Sequence, residues 1–111
     1  MLAVLVTLTI LLTAADHWTT YLCLSTPVDG WEVTEANPIA DWLFQSMGLL
    51  PGIVLDSVVT LLAIAFLIVT PLVPQPLKTG FFALVVVWTG WAVTNNLSAL
   101  RALGLSPLGL A

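Results

Sequence analysis

The sequence predicts an all-α membrane protein with three transmembrane helices and one short interfacial or re-entrant helix. Of its 111 residues, 59% are hydrophobic and 7% charged, whereas soluble domains carry about a quarter charged residues. Mean hydropathy is +1.09. The apolar residues fall into three long blocks separated by proline- and glycine-bearing breaks, and each block is long enough to cross a hydrocarbon core of about 30 Å as a helix. One membrane domain, residues 1–111, is expected from this length.

The first helix is predicted over residues 2–24, with Trp18 and Tyr21 suited to the far membrane interface. Leu2 to Leu12 followed by Thr13-Ala14-Ala15 has the outline of a secretory leader. No basic residue precedes it, so we read it as a retained span. Residues 25–37 (STPVDGWEVTEAN from Ser25) hold Pro27, Gly30 and three acids without helical or strand periodicity, and predict a loop outside the membrane.

Asn37-Pro38 then offers a helix start: an asparagine side chain can cap the first free amides, and proline at the first helical position lacks an N–H that would be unpaired anyway. The helix it opens, residues 38–48, is too short to span. Asp41 falls in its first turn, at the positive end of the dipole. Pro51-Gly52 is read as a further break. The second span is predicted over 53–70, stopped by Pro71, Pro74 and Pro76, and the third over 80–103. The short link predicts that these two pack antiparallel. Residues 104–111 should be irregular.

Two basic against six acidic residues leave no positive surface for nucleic acid or for anionic lipid. One cysteine, Cys23, excludes an intramolecular disulfide and reads as a packing residue. Only Lys78 and Arg101 bear on orientation. They favour a cytoplasmic N-terminus, in a membrane expected to be the bacterial inner membrane.

A carboxylate at the centre of a span costs about 2.5 to 3.5 kcal/mol on insertion scales, so such residues face protein or water. Thr9, Thr13, Asp16 and Thr20 fall on one stripe of the first helix, which should face the bundle. Asp56 and Thr60 repeat the four-residue spacing; Asp56 also fits a plain helix-start acid. Trp88, Trp91, Asn95 and Ser98 form a seam-like stripe on the third span, and Asn95 or Asn96 reads as interhelical glue or as part of a polar site with Asp16 and Glu35. His17 is the single histidine. That excludes a multi-histidine metal site within one chain, leaves a pigment or haem ligand as a minor reading, and favours a hydrogen-bonded interfacial residue. No Ser-His-Asp, HExxH or phosphate-loop arrangement is legible.

These ordered polar residues resemble a family of small bacterial and archaeal membrane proteins of unknown function. Its pattern is an Asp-x-x-x-Thr helix, then Glu-x-Asn-Pro, then a spanning lysine and a late asparagine. The matching residues here are Asp16 and Thr20, then Glu35, Asn37 and Pro38, then Asn95 or Asn96, over roughly residues 5–100. Asp56 stands where the pattern has its lysine. The resemblance implies the three-span topology and this choice of residues, and brings no reaction with it.

Three functions follow from the sequence. The first is an accessory subunit of a larger membrane complex, because so little of the chain lies outside the bilayer and no catalytic set is legible. An oligomeric ion or proton transport component is the alternative, with Asp16, Glu35 and Asp56 as sites, since carboxylates beside threonines and asparagines offer the oxygens that hard cations take. The third is a membrane enzyme acting on a lipid-like substrate with Asp16 and Glu35 as acid and base. Expected partners are the lipid bilayer and other membrane subunits or further copies of this chain. No cofactor is indicated.

Overall fold

The computed structural model describes residues 1–25, 35 and 37–108. It contains four helices in the order α1 (Leu2–Ser25), α2 (Pro38–Met47), α3 (Leu49–Val69) and α4 (Gln75–Leu103). The three long helices are long and apolar enough to cross a membrane, and their outward faces are lined with exposed leucine, valine, isoleucine and phenylalanine. Most of the predicted loop, residues 26–34 and 36, lies outside the described residues, as does the tail over 109–111.

Two helix starts differ from the sequence reading. The second span begins at Leu49 and the third at Gln75, rather than at residues 53 and 80. In both cases a proline read as a breaker sits inside the first turn: Pro51 is the third residue of α3 and Pro76 the second of α4. The first four N–H groups of a helix have no intrahelical acceptor, so a proline there costs no hydrogen bond. Only Gly48 therefore separates α2 from α3. Its φ of +91° and ψ of 161° lie in a region open essentially to glycine alone. The chain turns on that residue so tightly that a Cβ on Gly52 would meet Cδ1 of Phe44 at 2.7 Å.

Asn37 caps α2 as its sequence suggests, its Oδ1 accepting from the amides of Ile39 (3.0 Å) and Ala40 (3.4 Å). At the far end, α4 closes on Gly104 in the left-handed conformation (φ +74°). Its N–H donates to Arg101 O, and that of Leu105 to Leu100 O, which satisfies the last carbonyls. The tail then folds back onto α1, where Trp18 Nε1 donates to Pro107 O at 2.9 Å.

The bundle is organised around α1, which packs extensively on α4 and along another face on α3. The link between α3 and α4 does make them antiparallel, but they barely touch one another, contrary to the packing expected from sequence. Lys78 joins the two at their linked ends. Its side chain is buried between the two helix ends, with Nζ donating to Ile68 O (3.1 Å) and Thr70 O (2.7 Å). The lysine caps α3's last carbonyls, where the dipole favours a cation.

On α1 the buried residues include Thr9, Thr19 and Cys23, small side chains that let helices approach closely in lipid. On α4 the buried line is Phe82, Thr89, Leu100 and Leu103, with half-buried Asn96 completing spacings of seven and four. This is the seam that a heptad spacing predicts. It is not the Trp88, Trp91, Asn95, Ser98 stripe, whose four members are all exposed. The two stripes differ by about one residue's rotation, and the tryptophans are too large for the approach α1 makes.

Candidate functional site

A cavity of about 480 Å³ opens between α3 and α4, with α1 as its back wall. Asp16, His17 and Thr20 reach it from α1, and Asp56 from α3. Trp88, Trp91, Asn95 and Asn96 line the α4 side, while Glu35, Asn37 and Phe44 come from the segment entering α2 and from α2 itself. Asp16, His17, Thr20, Glu35, Asn37, Asp56, Asn95 and Asn96, all candidates from the sequence, thus border the same space, whereas Thr9, Thr13, Thr60 and Ser98 do not.

Its depth follows from helix geometry. Asp16 stands nine residues before the end of α1, Asp56 seven after the start of α3, and Asn96 seven before the end of α4. At a rise of 1.5 Å per residue these are about 13.5, 10.5 and 10.5 Å from the same end of the bundle. The three residues form one polar layer within the span.

Asn96 ties that layer together. Its Nδ2 lies 3.1 Å from Asp16 Oδ1, 3.0 Å from Thr19 Oγ1 and 3.2 Å from Thr20 Oγ1. An amide nitrogen has two hydrogens, so they are shared among three oxygens. Thr19 donates its own proton back to Ala15 O at 2.8 Å. Neighbouring Asn95 makes no side-chain hydrogen bond among the described residues and stands at the exposed rim. The sequence put Asn95 on its seam stripe and left either asparagine open as the interhelical amide; in the structure the interhelical bonds are made by Asn96.

Glu35, which borders the cavity, accepts the Asn37 amide at Oε1 (3.1 Å), and this supports the cap of α2. Arg101 is exposed and makes no ion pair among the described residues. Asp56 is more than a helix-start acid. Thr60 Oγ1 donates to its Oδ1 at 3.4 Å, and its Oδ2 lies 3.3 Å from His17 Nε2. The partner of Asp56 is thus the histidine on α1.

His17 also contacts Ser57, Nδ1 to Oγ, at 2.7 Å. Both ring nitrogens therefore lie within contact distance of a side chain on α3. Ser57, His17 and Asp56 are therefore in contact, although no such arrangement was legible in the sequence. Ser57 is not placed as a nucleophile. It borders a separate, mostly apolar cavity of about 150 Å³ between α1 and α3. It also lies mid-helix, where backbone amides are already bonded and cannot form an oxyanion hole.

Two participants were missed in the sequence, Ser57 and Thr19. Ser57 follows Asp56 directly and Thr19 lies one turn beyond Asp16; a search for polar neighbours of each intramembrane acid would have found both. The described residues contain no cluster of three or more His, Cys, Asp or Glu side chains close enough to chelate one metal ion. Comparison with protein-family models, curated proteins and solved structures finds no match.

Proposed function

We propose that this chain is a membrane transport component whose cavity binds a small organic cation through Asp16, Glu35 and Asp56. The observation that carries this reading is the convergence of three carboxylates on one open cavity that neither Lys78 nor Arg101 borders. The cavity's size lies within the roughly 300–1,000 Å³ of small-molecule sites. Trp88 and Trp91, with ring centroids 6.0 Å apart, line its α4 side, and aromatic faces attract ammonium groups. Spread carboxylates with an aromatic wall suit an ammonium ion better than a bare metal, which needs converging oxygens. The same polar positions carry the resemblance to Asp-x-x-x-Thr and Glu-x-Asn-Pro chains, so we extend the proposal to them.

The test is titration of the protein in lipid nanodiscs with benzyltrimethylammonium, followed by tryptophan fluorescence, and uptake of the same ion into liposomes. Asp16→Asn and Glu35→Gln keep the oxygens that accept from Asn96 and Asn37 but remove charge. Each is expected to weaken binding by about tenfold, or 1.4 kcal/mol. Binding and flux unchanged in both variants would count decisively against the proposal.

A second reading, an accessory subunit, is favoured by the cavity's rim. Trp88, Trp91 and Asn95 are exposed where α3 and α4 part, and another membrane chain laid over this gap would cover a polar layer otherwise open toward lipid. Purification from native membranes that recovers only this chain, at monomer mass, would exclude it.

A further inference from the structure

The contacts of His17 can be counted hydrogen by hydrogen. Ser57 Oγ lies 2.8 Å from Ile53 O and 2.7 Å from His17 Nδ1. A serine hydroxyl has one hydrogen, and a carbonyl oxygen can only accept. Both contacts are hydrogen bonds only if Ser57 donates to Ile53 O and Nδ1 carries a proton that it donates to Ser57. The other ring nitrogen, Nε2, then faces Asp56 Oδ2 at 3.3 Å. In a neutral imidazole protonated at Nδ1, that contact would set one lone pair against another. One further proton between Nε2 and Oδ2 removes the conflict.

We propose that His17 and Asp56, seated on Ser57, form a proton-binding site in the wall between the two cavities, held as imidazolium and carboxylate. The charges that face the ring agree. Asp16 on α1, Asp56 on α3 and Glu35 before α2 border the same cavity as His17. The α4 residues that do so, among them Trp88, Trp91, Asn95 and Asn96, are all neutral, and among the described residues neither Asp41, Lys78 nor Arg101 lines it. Loading is a simple protonation: a proton from water in the larger cavity bonds to Nε2, and no electrons move.

His17 borders both cavities, whereas Asp56 borders the larger and Ser57 the smaller. Release of the proton couples the two sides. If the remaining ring proton moves to Nε2 to satisfy Asp56, Nδ1 becomes an acceptor and the Ser57 hydroxyl turns from Ile53 O toward it. The site stands whether or not the cavity takes an organic cation. If it does, proton and cation share Asp56.

Because His17 is the single histidine, 15N-histidine labelling of the full chain in nanodiscs reports this ring alone. With no added ligand at pH 7, the wild type is expected to show two protonated ring nitrogens. In Asp56→Asn, that signature is lost and one nitrogen becomes the unprotonated type. A neutral imidazole in the wild type at pH 7 would overturn the proposal, as would an imidazolium fraction unchanged in Asp56→Asn. The wild-type spectrum decides by itself if the variant does not fold.

Discussion

Replacing Asn96 by alanine removes the amide that joins Asp16, Thr19 and Thr20 across the α1–α4 seam. Side-chain hydrogen bonds between membrane helices average about 0.6 kcal/mol and reach about 1.7. Asn96 has two hydrogens to give, and one of its acceptors is a carboxylate, which strengthens the bond. The sum is about 1.2 to 2.3 kcal/mol, taking one average and one average-to-maximal bond. Equilibrium unfolding in mixed detergent and SDS micelles, read by tryptophan fluorescence, measures it. Asn95→Ala is the matched control, one residue along the same helix, exposed and unbonded; surface substitutions of this kind stay within about 0.5 kcal/mol. A cycle pairing Asn96→Ala with Thr19→Val should recover about 0.6 kcal/mol of coupling. If Asn95→Ala costs as much as Asn96→Ala, the assignment of the seam is refuted.

Gly52→Ala should destabilise the protein by about 1–3 kcal/mol through overpacking, because the new methyl meets the Phe44 ring at 2.7 Å. Phe44→Leu in the same chain should return part of the loss, while Gly80→Ala, in open space, should gain up to about 1 kcal/mol from helix propensity; equal effects at both glycines would contradict the close approach of α2 to α3. Lys78→Met leaves Ile68 O and Thr70 O without their charged donor and should cost about 1.5–3 kcal/mol in the same unfolding assay. A loss under about 0.5 kcal/mol would mean that the lysine is not what holds the two helix ends.

The spans were legible because an apolar block of about twenty residues has few alternatives to a membrane helix. The α2 cap was legible for a local reason: Asn37 bonds amides two and three residues away. What sequence could not supply was rotation and partnership. Choosing between Asn95 and Asn96, or between the tryptophan stripe and the Phe82–Thr89–Leu100 line, requires knowing which face of α4 meets α1. Neighbouring positions differ by only 100° on a helix. Proline was misread in the other direction. Pro51 and Pro76 break a helix interior but sit without penalty in a first turn, and the sequence does not announce where that turn begins. The Ser57–His17 contact spans forty residues, beyond any local pattern.

The central position of α1 has a consequence for biosynthesis. Chains emerge N-terminus first, so Asp16 reaches the bilayer before α3 has brought Asp56 and Ser57 to His17, and well before α4 has brought Asn96 from eighty residues downstream. During that interval the carboxylate carries an insertion cost of about 2.5–3.5 kcal/mol with no protein partner, and Thr19 and Thr20 lack their amide. The last helix to arrive is also the one that α1 contacts most extensively. Assembly of this bundle is therefore a closing reaction between α1 and α4, and the nascent chain needs an attendant, whether water, lipid headgroup or insertion machinery, for a half-buried acid whose answer has not yet been made.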